Sequence, residues 1–364
     1  MILTDGKMSF EDLLKQKQWD SYEDYSGEIS AMVSDDVRKS MEEDIVMMEQ
    51  IKDSKEFKAC EVRDAWERKD EAEDLLLDGK VVGIDGTISK YKFASGYRCQ
   101  VGVVAVNYQQ DTIKRSFYIS AATLKSEPTD VRDKMERRLS ANEDLADFHL
   151  RALMMYRERE AGLDPKFGDC YVMYHGQLLP FELRSGLGKL RGLETTLDLL
   201  KRIVSSRRVM SVVSSHWSHQ ELWTLGTALE PGQYLTYAES TVKNHLLNKQ
   251  KFLDEPEKWR KDEYELAKDF VNEYAGDIKI GAVKVAHRPY IFYAHKDIFD
   301  LAAAIIARDS LFQKQKGFPL LIDYADNLAT EYFSNSNYNN MIEWELAKNG
   351  GYLREAGERR MRVK

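Results

Sequence analysis

Cysteine is scarce in this chain. The three present, Cys60, Cys99 and Cys170, are far apart and form no C-x-x-C pair, which excludes a disulfide framework and a cysteine-based zinc site and fits a reducing compartment. Long apolar runs are missing too: no segment approaches the roughly 18 apolar residues of a membrane span. The start, M-I-L-T-D-G-K-M-S-F-E-D, lacks the basic stretch and apolar run of a secretory leader. A cytoplasmic protein with no membrane contact is the expectation. Basic charge is not in excess, with 53 Lys and Arg against 61 Asp and Glu and a net charge of −8, which argues against a broad polyanion-coating surface but allows a local basic groove. There is no internal repeat and no low-complexity tract. The phosphate-loop pattern G-x-x-x-x-G-K also fails, because Leu183 stands where S-G-L-G-K-L-R-G would need its first glycine.

What is there describes an ordinary globular protein: 364 residues, 43% hydrophobic and 31% charged, enough for one large core with additions. Residues 8–78 are rich in Glu, Asp, Lys and Met, and Ile45, Met48 and Ile51 recur at helical intervals, so 1–78 reads as an N-terminal helical arm or dimer contact. The pattern changes at Gly79. K-V-V-G-I-D (80–85), Tyr97 to Val106 and Ile113 to Ser120 read as three strands of an antiparallel meander, with a turn over Asn107 to Thr112. A helical period runs from Pro128 to about Glu160, then a strand from Cys170 to Tyr174, a helix from about Leu190 to Val204, and a strand from Val209 to Val213. Strand, strand, strand, helix, strand, helix, strand is the connectivity of an α/β, ribonuclease H-like mixed sheet with flanking helices. That core is expected over 79–335. Residues 214–275 read as a mainly helical insertion, Lys279 to Tyr293 as strand, Phe299 to Leu311 as helix, L-L-I-D-Y-A-D-N-L-A as the start of a last helix, and 336–364 as a C-terminal tail.

Candidate chemistry gathers on carboxylates. Asp85 ends the first core strand beside Gly86, where a ligand or backbone can approach closely, a placement suited to metal coordination. Glu143 shares an apolar helical stripe with Leu139, Ala146, Leu150, Leu153 and Met154 and therefore points toward the sheet, where a lone carboxylate needs a metal or a basic partner; Glu136 and Glu158 compete for the role on the same segment. Asp323 and Asp326 lie one turn apart at the start of the last helix. Lys189, Arg191, Lys201, Arg202, Arg207 and Arg208 form a basic neighbourhood in which Lys189, Arg191, Arg207 and Arg208 are candidate DNA phosphate contacts, a solvated helix face being the equal alternative. His216, His219 and Glu221 lack a third ligand at zinc spacing, so a structural role is expected there.

With these residues in place the sequence resembles the NurA nuclease family. Ile84-Asp85-Gly86-Thr87 matches its D-G-S-like first motif. Gly317-Phe318-Pro319-Leu320-Leu321 matches its C-terminal aromatic-Pro motif, with Asp326 in the position taken by His or Asp, and Glu143 is assigned to the helical Glu by position. Tyr174-His175-Gly176-Gln177-Leu178-Leu179 fits the frame of the second D-G-x-L motif, but His175 replaces the Asp, and Phe318 stands where many members have Tyr. The resemblance, over about residues 80–335, implies a DNA nuclease that uses Mn2+ or Mg2+ held by Asp85, Glu143, His175 and Asp326. It also implies a homodimer working with a HerA-type hexameric ATPase in DNA repair or antiviral defence. A catalytically silent adaptor on the same fold is the alternative that the His175 and Phe318 departures favour.

Overall fold

In this computed structural model, residues 22–93, 96–120, 143–185, 192–214, 219–237, 239–254 and 261–349 are described. The chain divides into two compact units, residues 1–54 and 55–364. The first contains one long helix, α1 (Tyr22–Asp53), with Val33, Val37, Met41 and Ile45 exposed along it.

The second unit is built on a nine-stranded sheet: β1 (Glu61–Asp64), β2 (Val81–Phe93), β3 (Gly96–Val106), β4 (Thr112–Ser120), β5 (Tyr171–His175), β6 (Val209–Val213), β7 (Gln233–Thr236), β8 (Ile278–Lys284) and β9 (Pro289–His295). Their order across the sheet is β1-β7-β8-β9-β6-β5-β2-β3-β4. β2, β3 and β4 form the antiparallel meander, while β5 runs parallel to β2 and β6 parallel to β5. This is the ribonuclease H-like arrangement expected from the sequence. β9, β8, β7 and β1 extend it by four antiparallel strands.

The flanking helices are α2 (Lys69–Leu77), α3 (Glu143–Ala161), α4 (Leu193–Ser205), α5 (Gln220–Thr227), α6 (Lys261–Glu273), α7 (Phe299–Ser310), α8 (Leu320–Phe333) and α9 (Asn335–Lys348). α7 is almost wholly apolar and buried, its A-A-A-I-I-A run letting it lie close against the sheet. Together with α8 it covers the main core, which includes Met173, Met210, Val212, Phe292, Ile305 and Leu321. Each such side chain contributes about 1.5–3 kcal/mol by leaving water. A smaller cluster of Cys99, Val101, Ile119 and Leu150 lies under α3, with Ile88, Leu153 and Met154 against it.

Four expected boundaries differ. Residues 55–78 belong to the folded unit, since β1 pairs with β7, and α2 buries Ala72 and Leu76 and packs on α7. The expected helical insertion, 214–275, contains β7, a full member of the sheet. The strand character expected over Lys279 to Tyr293 takes the form of the β8–β9 hairpin, which turns at residues 285–288. The expected tail carries α9, which packs on β2. No helix among the described residues is long and apolar enough to cross a membrane.

Candidate active site at the end of the parallel strands

The site forms where β5 stops. β2 and β5 pair from Val81–Tyr171 to Ile84–Tyr174, after which β2 continues to Phe93 paired with β3 alone. Asp85 therefore does not end its strand. It is the first residue of β2 beyond the last β5 pair, beside a notch in the sheet. His175, the last residue of β5, stands next to it and donates from Nδ1 to Asp85 Oδ2 at 3.0 Å, while its Nε2 lies 3.0 Å from Ser214 Oγ just past β6. Asp85 is 5% exposed. Its other oxygen accepts the Gly86 N–H at 2.8 Å.

Groups approach this notch from both faces. Gly83 lets α8 press onto β2, since a Cβ there would lie 2.6 Å from the Leu321 carbonyl oxygen. Strand alternation puts Asp85 on that same face. α8 brings Asp326, which is exposed at the rim, and Phe318 packs edge-on against the His175 ring at 5.7 Å between centroids. On the other face a Cβ at position 86 would meet Glu158 Oε1 at 2.7 Å and Met154 Cγ at 2.8 Å. Glycine at 86 is what lets the Glu158 carboxylate reach the strand. Glu158 is 2% exposed and ion-paired with Arg159, itself 1% exposed.

The electrostatics follow from this crowding. Burial pushes the Glu158 carboxyl well above the usual carboxylate range, Arg159 opposing the rise and Asp85 adding to it. Asp326 is also raised, by burial first and then by the charge on Asp85. His175 loses some of its charged form to burial, but the Asp85 hydrogen bond and the charges of Asp85, Glu158 and Asp326 outweigh this, and its pKa stands above 6.5. The donor chemistry, carboxylates with one imidazole, suits Mn2+ or Mg2+. Among the described residues, however, no three His, Cys, Asp or Glu side chains are grouped as a ready metal cage. Asp85 and His175 face α8 and bond to each other, whereas Glu158 enters from the α3 side and is held by Arg159.

Of the four site residues expected from the sequence, Asp85 and His175 are hydrogen-bonded to each other and Asp326 is near enough for its charge to act on His175, though the three form no metal-holding group among the described residues. The fourth, Glu143, does not join them: it begins α3, fifteen residues before Glu158 and so about 22 Å away along the helix. Its side chain lies outside the described residues. Glu158 occupies the helical position instead, and the stripe used to choose Glu143 runs on through it, four residues past Met154. Asp323 is tied to Lys316 and Gln313 at the base of α8. Of the expected DNA contacts, Lys189 and Arg191 lie outside the described residues. Arg207 and Arg208 face Asp297 and Asp169 at the turn entering β6, about 20 Å along that strand from Ser214 and so at its opposite end. His216 is likewise outside the described residues. His219 is buried against His245, bonds to the Tyr293 hydroxyl and is pushed down to about 3 by burial, as a neutral structural histidine. Ser214 and Arg159 carried no signal in the sequence, since neither forms part of a motif.

Neither a protein-family model nor a curated protein matches the sequence. Solved structures do. The chain is similar in structure to NurA nucleases. The NurA nuclease from Sulfolobus solfataricus is 10% identical, with 89% of this chain and 98% of that chain covered and a TM-score of 0.49. A NurA structure with manganese is 8% identical over 80% of this chain and 94% of that one, at a TM-score of 0.40. One bound to dAMP and manganese is 9% identical over 84% and 93%, at 0.38.

Proposed function

We propose that this protein is a metal-dependent deoxyribonuclease, with Asp85, His175 and Asp326 as the residues that hold a divalent cation and Glu158 as the carboxylate that completes the set. The observation that carries this reading is the meeting of Asp85 and His175, 3.0 Å apart on adjacent parallel strands, with carboxylates arriving from α3 and α8. Such a cation supplies activation of water and neutralisation of charge at a scissile phosphodiester. The chain's own groups do the rest. Asp85 fixes the His175 ring through Nδ1, which leaves Nε2, beside Ser214 at the exposed end of β6, as the nitrogen that would hold the cation. Phe318 packs on the ring and restricts its tilt.

The motif resemblance extends the proposal to a cytoplasmic homodimer that works with a HerA-type hexameric ATPase in DNA end processing or antiviral defence. A net charge of −8 gives little long-range attraction to DNA, so delivery by a translocase suits this protein. The second reading is a catalytically silent adaptor. It is favoured by the lack of a ready ligand cage among the described residues.

Cleavage of linear single- and double-stranded DNA, followed with Mn2+, Mg2+ or EDTA, separates the two. We expect cleavage with Mn2+, slower cleavage with Mg2+, because imidazole favours the softer ion, and none in EDTA. Asp85→Ala is expected to lower the rate by more than the roughly 10–100-fold typical of removing a group that merely supports a ligand. Inactivity with every metal, with and without the ATPase, establishes the adaptor. Full activity of Asp85→Ala refutes the site.

A further inference from the structure

Beneath the site lies a pair of buried charges that metal binding alone does not explain. Glu158 and Arg159 are adjacent on α3, and both are almost fully enclosed. The Arg159 guanidinium holds the Glu158 carboxylate with Nη1 and reaches the Gln177 carbonyl with Nη2. Gln177 follows Gly176, the left-handed turn (φ +83) that directly succeeds His175. Its guanidinium stacks over the Tyr174 ring at 4.8 Å, and the Tyr174 hydroxyl donates to the Arg159 carbonyl at 3.3 Å. One side chain thus joins α3, which carries Glu158, to the end of β5, which carries His175. Among the described residues the Arg159 Nε is buried without a hydrogen-bond partner. Glu158 Oε1, the oxygen not bonded to Arg159, is the one directed at Gly86 beside Asp85.

We infer that Arg159 is a positioning residue that stands in for a cation at the metal-free site, holding Glu158 and the turn after His175 in place until a divalent ion competes with it for the Glu158 carboxylate. Three carboxylates around one notch repel one another, and enclosing Glu158 without a counter-charge would cost several kcal/mol. Arg159 supplies that counter-charge from below, where it is shielded from solvent and substrate. A bound ion supplies it from above. The protein therefore folds with its acidic site assembled before metal arrives, and part of the cation's binding energy is used to loosen an existing ion pair. This inference rests on the proposed metal site.

The test compares wild type, Arg159→Gln and Arg159→Lys in EDTA and in saturating Mn2+, with melting temperature and Mn2+ affinity by electron paramagnetic resonance as readouts. Arg159→Gln is expected to lose more thermal stability in EDTA than in Mn2+. It is also expected to bind Mn2+ at least roughly tenfold more tightly, since one unit charge so close to a divalent ion opposes its binding by more than that factor at an effective dielectric of about 20. Arg159→Lys keeps the charge and is expected to recover most of the metal-free stability with near-wild-type affinity. An arginine that only packs would lower the melting temperature equally in both conditions and leave affinity unchanged, and that result overturns the inference. Weaker Mn2+ binding by Arg159→Gln also overturns it. Should Arg159→Gln not fold, the wild-type guanidinium signal of Arg159, assigned by its absence in Arg159→Lys, decides the matter. It is expected to shift during a Mg2+ titration, and no shift at saturation overturns the inference. Absence of any Mn2+ binding by wild type removes the proposed metal site as well, whereas wild-type binding with unaltered variants removes the Arg159 role alone.

Discussion

Asp85 sets the charge of His175. Burial disfavours imidazolium at position 175, and the raised pKa exists because the Asp85 hydrogen bond, the Asp85 charge and then the charges of Glu158 and Asp326 outweigh it. Taking away Asp85 removes two of these contributions and leaves burial in place. Asp85→Asn is therefore expected to bring the His175 pKa down, as read from the imidazole signals in an NMR titration; an unchanged value would show that the hydrogen bond does not set the charge of this ring. The same shift predicts how metal affinity responds to pH. A cation needs the neutral imidazole, so a proton must leave His175, and the raised pKa places that loss above 6.5. Mn2+ affinity is expected to climb as pH rises through and beyond that value and to lose most of the dependence in His175→Asp. Asp85, His175 and Asp326 were visible in the sequence because short motifs mark them. Glu158 was harder to single out because Glu143 and Glu158 both sit in one helical stripe. What separates them is Gly86, whose missing side chain admits Glu158 to the strand across a tertiary contact.

At the scale of elements, α8 is pinned by a buried acid from its neighbour. Asp309, near the end of α7, accepts the Leu321 N–H at 2.9 Å and also accepts from the Tyr108 hydroxyl. This bond satisfies an otherwise free amide in the first turn of α8, and α8 carries Asp326. Burial raises the Asp309 pKa from 3.8 to about 6 even though the Tyr108 and Leu321 hydrogen bonds act the other way. A carboxyl raised in the folded state favours folding fully below its unfolded pKa, and that contribution is lost as pH rises through about 6. Asp309→Asn can keep both partners without ionising. From about pH 4 to pH 7 its stability relative to wild type is expected to improve by roughly 3 kcal/mol in urea unfolding. A difference that does not vary with pH would show that Asp309 stays neutral or is well compensated. Asp309→Ala, which leaves the Leu321 amide and the Tyr108 hydroxyl unpaired, is expected to cost about 2–4 kcal/mol near pH 4, a cost that shrinks as pH rises through about 6 because only the wild type carries the ionising group. The elements that sequence reading recovered, β2 to β6 with α3, α4, α7 and α8, have apolar patterns long enough to set a period. β1 and β7 are four residues each, and β1 is exposed along its whole length, E-V-R-D, so neither carries an apolar alternation. α9 opens with N-S-N-Y-N-N, which has no amphipathic stripe, and it became visible only where it packs on β2.

For the whole molecule, the division at Ser54 and Lys55 makes a prediction different from the one the sequence suggested. Composition changes most sharply at Gly79, yet the folded unit begins at Lys55 because β1 extends the sheet at β7 and α2 covers α7. Ala65, Ala72 and Leu76 are at most 1% exposed, and Glu73 makes two hydrogen bonds with Arg308 of α7, at 2.6 and 3.0 Å. A chain beginning at Gly79 would uncover all of these contacts and leave β7 without its outer neighbour. Loss of several kcal/mol follows from the apolar burial alone, enough to unfold a marginally stable protein. A chain beginning at Lys55 leaves them intact. It lacks only the unit with α1, whose exposed Val33, Val37, Met41 and Ile45 form an apolar row suited to self-association. The Lys55 chain is therefore expected to keep the melting temperature of the full protein within about 2 °C, retain metal-dependent cleavage, and run as a monomer in light scattering. The Gly79 chain is expected to be insoluble or to show no cooperative transition. A stable, cooperative Gly79 chain would show that β1 and α2 are dispensable, and an unfolded Lys55 chain would show that α1 belongs to the core after all.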